Sequence, residues 1–148
     1  MSKQPAITTV QIELVKGTWA KVIPIADTAA KLFYDRLFET DPQLAPMFDG
    51  TDLPAQRLKL VKAINRVVMS LDHFDTMIPI IRNLGYHHVF YGVKDRHYGQ
   101  VGAALLWTLD AGLGEEWSDE AAMAWSIAYQ MIANVMIEGA RQHQRSAA

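Results

Sequence analysis

The groups in this chain best able to do chemistry are five histidines, at positions 73, 87, 88, 97 and 143, in a sequence with no cysteine. Without thiols, disulfides, thiolate zinc sites and cysteine-held clusters are excluded. Any metal must then be held by His, by carboxylate or by a prosthetic group. The histidines are not spaced to converge as the three or four ligands a bare metal centre needs. A single inward imidazole can instead complete an ion whose four equatorial ligands come from elsewhere. Register makes His88 that candidate. It follows Leu84 by four residues and Ile81 by seven, and so continues their apolar stripe. His87 turns about a quarter of the way round, towards Asn83, and should be wetter. Gly85 and Gly92 bracket the stretch, which suits backbone packed closely against something flat. On register alone, a core imidazole bonded to a carbonyl fits as well.

Three further residues carry polarity or bulk where the pattern is apolar. Tyr34 sits in the middle of a helical face made by Ala30, Phe33, Leu37 and Phe38, so its hydroxyl is aimed inward and needs a partner. Gln56 heads the otherwise apolar stripe Leu60, Ala63/Ile64, Val67 and Leu71. Phe48 is a large ring at the end of a corner braced by Pro42 and Pro46. Each also reads as ordinary architecture: a core Tyr bonded to a carbonyl, a boundary Gln, a core plug.

The elements that must position these groups are all helical. Thr8 or Thr9 can cap a helix carrying Val10, Leu14, Val15, Trp19 and Val22. Pro24 ends or offsets it, and a second helix starts near Asp27. A short turn of helix runs from Asp41-Pro42 to Phe48, and a loop follows over 49–52. Pro54 opens the next helix in its first turn. Residues 71–76 read as a connection, and Met77–Leu84 as a short helix leading to His88. Asp95 is the expected N-cap of a long helix that buries Tyr98, Val101, Leu105, Leu106 and Leu109 and ends at Gly112-Leu113-Gly114. Ser118 caps the last helix, whose stripe is Trp125, Tyr129, Ile132, Ala133 and Met136. Residues 141–148 read as a polar tail. This is an all-α chain of six or seven amphipathic helices forming one domain over 1–148, with 1–7 and 142–148 frayed.

The composition narrows the functional classes. With 148 residues the chain can bury a full core. A net charge of −2 carries no electrostatic footprint for nucleic acid or acidic membranes. There is no apolar run long enough for a transmembrane span and no secretory h-region near Met1, so a cytoplasmic location is expected. There is no P-loop, GxGxxG, HExxH or GxSxG, and nothing orders Ser, His and Asp as a triad. Haem is the case in which one inward His suffices.

At this point the order of segments resembles the bacterial globins, most closely single-domain haemoglobins and the globin module of flavohaemoglobins. The resemblance covers about residues 8–140. It rests on Leu32-Phe33-Tyr34-Asp35-Arg36-Leu37-Phe38, on Asp41-Pro42 leading to Met47-Phe48, and on Gln56-Arg57 leading to Ala63-Ile64. It continues with His87-His88 before Tyr91-Gly92-Val93, with His97-Tyr98-Gly99-Gln100-Val101-Gly102, and with Ala124-Trp125 to Tyr129. The resemblance implies a globin fold, a three-over-three helical sandwich around haem b. It makes His88 the proximal iron ligand through Nε2, with Nδ1–H anchored on a carbonyl near Leu84. His97 is a lower-ranked rival. Phe48 would press on the porphyrin face, and Leu60, Ile64, Val101 and Leu105 would line the pocket. His87 and Arg57 are weaker candidates for the haem propionates.

Tyr34 and Gln56 would be the distal pair, donating to the negative charge that dioxygen acquires on ferrous haem. The function implied is tight, reversible O2 binding, with NO and CO as further ligands and oxygen storage or transport as the role. The alternatives are nitric oxide dioxygenation and haem-based sensing. The chain is expected to stop after the last globin helix, so turnover would draw on a separate reductase. One departure bears on redox chemistry. In flavohaemoglobins a Glu on the last helix bonds the proximal imidazole beside a Tyr. Tyr98 matches that Tyr, but the Glu position falls on Ala140, and Glu138 is two residues early. That weakens the case for peroxidase-like activation.

Overall fold

The computed structural model describes residues 7–89 and 92–147, with side chains described through residue 142. Tyr91, the segment 1–6 and the His143 side chain, named above, lie outside the described residues. Six α-helices account for most of the rest: α1 Thr9–Val22, α2 Ala26–Thr40, α3 Leu53–Met69, α4 Phe74–His88, α5 Asp95–Leu113 and α6 Asp119–Ala147. Short 3-10 turns over Ile23–Ile25, Pro42–Phe48, Leu71–His73 and Gly114–Glu116 join them. There is no strand among the described residues, and no described helix is long and apolar enough to cross a membrane.

Local chemistry sets the helix starts. Thr8 accepts from the Gln11 amide at 3.1 Å while Gln11 Oε1 accepts from the Thr8 amide at 3.0 Å, a capping box that satisfies two end groups of α1. Asp52 accepts from the Ala55 amide at 3.2 Å and Ser118 from the Ala121 amide at 3.1 Å, starting α3 and α6. Pro24 sits in the 3-10 turn after α1 and offsets α2 without a loop. Gly114, with φ +56°, closes α5.

Three boundaries and one buried face differ from the sequence reading. α4 begins at Phe74, three residues before Met77, because Phe74 and Met77 are both buried and pull the chain into the helix. The N-cap of α5 is Lys94, not Asp95. α6 runs on to Ala147, so the expected polar tail is helical backbone. Val10, expected on the inner face of α1, is 66% exposed, while Ile12 packs on the core and Val15, Thr18, Trp19 and Val22 are buried.

α4 and α6 form the most extensive helix pair, with α2 against α5, α1 against α6 and α2 against α3. The α4–α6 crossing is close because two glycines lie in it. A Cβ on Gly85 would strike the carbonyl of Met136, and one on Gly139 would strike the carbonyl of Arg82. Gly85 is therefore required by the neighbouring helix. Gly92 is a turn residue with φ +85° and nothing nearer its missing Cβ than Met47 Cε at 3.9 Å. The main core gathers Val15, Trp19, Ile81, Leu109, Trp125 and Val135. Burying Ile81, 2% exposed, is worth about 1.5–3 kcal/mol. Both core indoles are satisfied, Trp19 by Asn65 Oδ1 at 2.9 Å and Trp125 by Thr18 Oγ1 at 2.8 Å. A second, smaller cluster forms around Phe33, Tyr34, Leu37, Leu44 and Ala104.

Candidate functional site

The smaller cluster holds Tyr34, with Phe48 packed against it. Tyr34 is 6% exposed, in the middle of the inner face of α2. The Phe33 ring meets it edge-on at 5.0 Å, Phe48 edge-on at 5.5 Å and Phe38 at 6.0 Å. Gln56, in the first turn of α3, donates its amide Nε2–H to the Tyr34 oxygen at 3.2 Å. Because that oxygen accepts from Gln56, the phenol proton remains to donate to a second acceptor. Burial pushes the Tyr34 pKa up and the Gln56 bond pulls less strongly the other way, so the group stays a neutral donor.

Phe48, Leu60, Val101 and Leu105 pack against the same cluster as Tyr34. Ile64 packs against the main core instead. It meets Leu60 and Leu105 again along an apolar cavity of about 20 Å³, also lined by Trp19, Ala30 and Phe33. The inner face of α3 from Gln56 to Val67 is only half-buried, as are Val101 and Leu105 on α5. Sequence reading had not assigned Phe33, Phe38, Leu44 or Ala104 to this site. Spacing places Phe33 and Phe38 next to Tyr34 and on its stripe, but nothing local shows that Leu44 and Ala104 close the cluster.

His88 is the last residue of α4 and half-buried, whereas His87 is exposed. The His88 ring donates Nδ1–H to the Leu84 carbonyl at 2.7 Å, the anchor expected one turn back. Its pKa is lowered, first by burial and further by His87, with the Leu84 carbonyl opposing. The ring is therefore neutral with its proton on Nδ1, and Nε2 carries the lone pair, the form that binds a metal. Leu84 itself is 42% exposed, so only Ile81 of the expected stripe is fully buried.

His97, the rival, is 4% exposed, and its Nδ1 accepts the Lys94 amide at 2.9 Å. That nitrogen serves the start of α5. Arg57 is drawn to Asp27 at 2.9 Å, pinning α3 to α2. Glu138 pairs with Arg82 at 2.9 Å across the outside of the α4–α6 crossing, away from the Ala140 position. Ala140 is buried. The Tyr98 hydroxyl is buried and has no hydrogen-bond partner among the described residues, and burial first and then Asp95 push its pKa up to about 12. Its backbone carbonyl accepts from Tyr129 at 2.6 Å.

Among the described residues no three or more His, Cys, Asp or Glu side chains group to hold a metal ion. A single neutral imidazole, a phenol–amide pair, half-buried aliphatic walls and one buried phenol without a partner among the described residues suit a planar apolar macrocycle carrying its own metal. The residues fit haem and do not fit a bare ion.

The Globin family model matches residues 31–136. The flavohemoprotein of Bacillus subtilis is 31% identical over 128 residues, which are 85% of this chain and 32% of that protein. The flavohemoprotein of Bordetella bronchiseptica is 29% identical over 126 residues, 84% of this chain and 31% of that protein. The chain thus spans about a third of the length of these relatives. A solved bacterial globin from Campylobacter jejuni matches with a TM-score of 0.81 at 25% identity, covering 93% of this chain and 99% of that one. With its helices packed in this order, this chain belongs to the globin family.

Proposed function

We propose that this haem-binding globin holds its cofactor, haem b, through His88 Nε2 and binds dioxygen reversibly and tightly beside Tyr34 and Gln56. The observation that carries this reading is the half-buried bond from Gln56 Nε2–H to the Tyr34 oxygen. When bound, haem supplies an iron that takes a diatomic ligand and shifts negative charge onto it. The rest of the work belongs to the chain. The Leu84 carbonyl fixes the tautomer and direction of His88. Phe48, Leu60, Ile64, Val101 and Leu105 exclude water, and Tyr34 directs a proton at the developing charge without giving it up. Gln56 holds the phenol in that direction and, by donating to its oxygen, makes it a better donor. Tyr98 offers a second buried phenol on α5 for contact with the cofactor. CO and NO share the same site, and the setting we propose is the cytoplasm.

A second reading is nitric oxide dioxygenation with a reductase as electron donor. The flavohemoprotein relatives favour it, since their name couples a flavin to haem, and the same distal pair serves both readings. The tests are direct. Haem titration should saturate at one per chain with a Soret band that shifts on reduction and CO addition. Mixing the oxygenated protein with NO and assaying nitrate with and without an added flavin reductase separates the two readings. One nitrate per haem that does not recycle with reductase supports the carrier, and many turnovers support the enzyme. A protein that takes up no haem contradicts both.

A further inference from the structure

Three consecutive amides hold the chain as it leaves His88. Gly92 N–H donates to the Val89 carbonyl at 3.0 Å, Val93 N–H to the His88 carbonyl at 3.3 Å, and Lys94 N–H to His97 Nδ1 at 2.9 Å. The first two acceptors are carbonyls and do not titrate. The third is an imidazole, and it stands at the third position of α5. The same protein makes the same bond at the start of α1, where the Thr8 amide donates to Oε1 of Gln11, also at the third position. Gln11 and His97 do one job at two helix starts. Only one of them can lose its acceptor, because an imidazolium carries protons on both nitrogens.

Side-chain contacts tie Arg96 to Asp41 and Gln43 and Asp95 to Arg141, but among the described residues the first-turn amides of α5 have little else to rely on. Its N-cap is Lys94, whose ammonium offers no acceptor to the first-turn amides. Among the described residues, the other backbone bond there is His97 N–H to the Lys94 carbonyl at 2.9 Å. His97 is 4% exposed, so charging it in place costs desolvation. The groups that face it are Asp41 from the turn after α2, which favours the imidazolium, and Arg96 and Lys94, which oppose it. Asp41 is itself turned towards Arg96 Nη1 at 3.8 Å and accepts the Gln43 amide at 3.2 Å. Asp95, next to Arg96, is drawn to Arg141 of α6 at 3.9 Å. Burial and the two cations prevail, and the pKa of His97 lies below its ordinary value.

We propose that His97 is an acid-sensitive cap: neutral, it accepts the Lys94 amide and fixes the start of α5 next to the His88 helix, and protonated, it releases that amide and loosens Gly92–His97. The sign follows from linkage. A histidine that prefers to be neutral in the folded chain adds stability above its ordinary range near pH 6.5, and that stability is lost as pH falls below it. The device does not depend on which ligand the haem carries.

The test is amide hydrogen exchange on the full haem-loaded chain from pH 7.5 to 5, corrected for the intrinsic pH dependence of exchange. In the wild type, protection of the Gly92–His97 amides should fall as pH drops, by up to about tenfold per pH unit once His97 is protonated in the opened form. Protection at the Gln11-capped start of α1 should not change. His97→Gln places a non-titrating acceptor at the same position, so protection at Gly92–His97 should become flat with pH. Should that variant fold poorly, the wild type suffices: by NMR, the Lys94 amide resonance should move with the same midpoint as the His97 ring nitrogens. Constant protection in the wild type, an equal acid loss in His97→Gln (which would place the effect on His88), or a Lys94 amide that ignores the His97 titration would each overturn the proposal.

Discussion

Tyr34→Phe removes a single hydroxyl from a pocket whose rings already touch, with neighbouring centroids 5.0–6.0 Å away. Ring volume barely changes, so the pocket shape should survive and the difference report the donor alone. A hydrogen bond to a charged acceptor is worth about 1.5–3 kcal/mol. At about 1.4 kcal/mol per tenfold, that is a roughly 10- to 100-fold faster O2 dissociation. The geometry refines the figure. Gln56 spends its Nε2–H on the Tyr34 oxygen. In Tyr34→Phe that amide loses its partner and can turn to the gas ligand, which returns part of the loss and moves the effect towards the lower end. Gln56→Leu alone should cost less, since the phenol proton is still present. The double variant should then lose more than the two single losses combined, because each donor partly covers for the other. The assay is stopped-flow displacement of O2 by CO from the ferrous protein. Burial keeps Tyr34 a neutral phenol, so the wild-type rate should also be level between about pH 7 and 9. A Tyr34→Phe rate within about twofold of the wild type would refute the assignment, whatever the oxygen affinity.

Two further outcomes follow from the packing and the proximal site. Gly85→Ala drives a methyl into the Met136 carbonyl, so it should cost about 1–3 kcal/mol or more in urea unfolding; an unchanged midpoint would mean that α4 and α6 cross less closely than described. His88 has a lowered pKa because of burial, so haem retention should be full above its ordinary range near 6.5 and fall as pH drops below the folded value, read as transfer of haem to excess apomyoglobin. Retention that instead improves with acid would contradict a neutral imidazole ligand.

What could be read from the sequence was local or periodic. The inner face of α2 is a repeat of one helix turn and reappears buried, and the stripe of α3 headed by Gln56 reappears half-buried. The four-residue step from Leu84 to His88 reappears as a bond to the Leu84 carbonyl, although the Leu84 side chain is exposed. Cap chemistry was legible at Thr8 and Ser118 because those side chains bond amides three residues away. The rest depended on partners far along the chain. Phe74 joins α4 because it is buried among other helices. Gly85 faces Met136, 51 positions on, rather than the flat neighbour its surroundings suggested. Arg57 bonds Asp27, 30 residues earlier. His97 was weighed as a ligand because its type suits a metal, while its bond to the Lys94 amide is a matter of geometry. The membership of Leu44 and Ala104 in the Tyr34 cluster is likewise a product of assembly.

The proposed bond between His88 and the haem iron can be probed by His88→Gly and optical spectroscopy. The ferrous variant should lose the five-coordinate histidine spectrum and regain it when free imidazole is added to fill the space the side chain left. A His88→Gly protein whose ferrous and ferrous-CO spectra match the wild type without imidazole would contradict it and move the iron to another ligand.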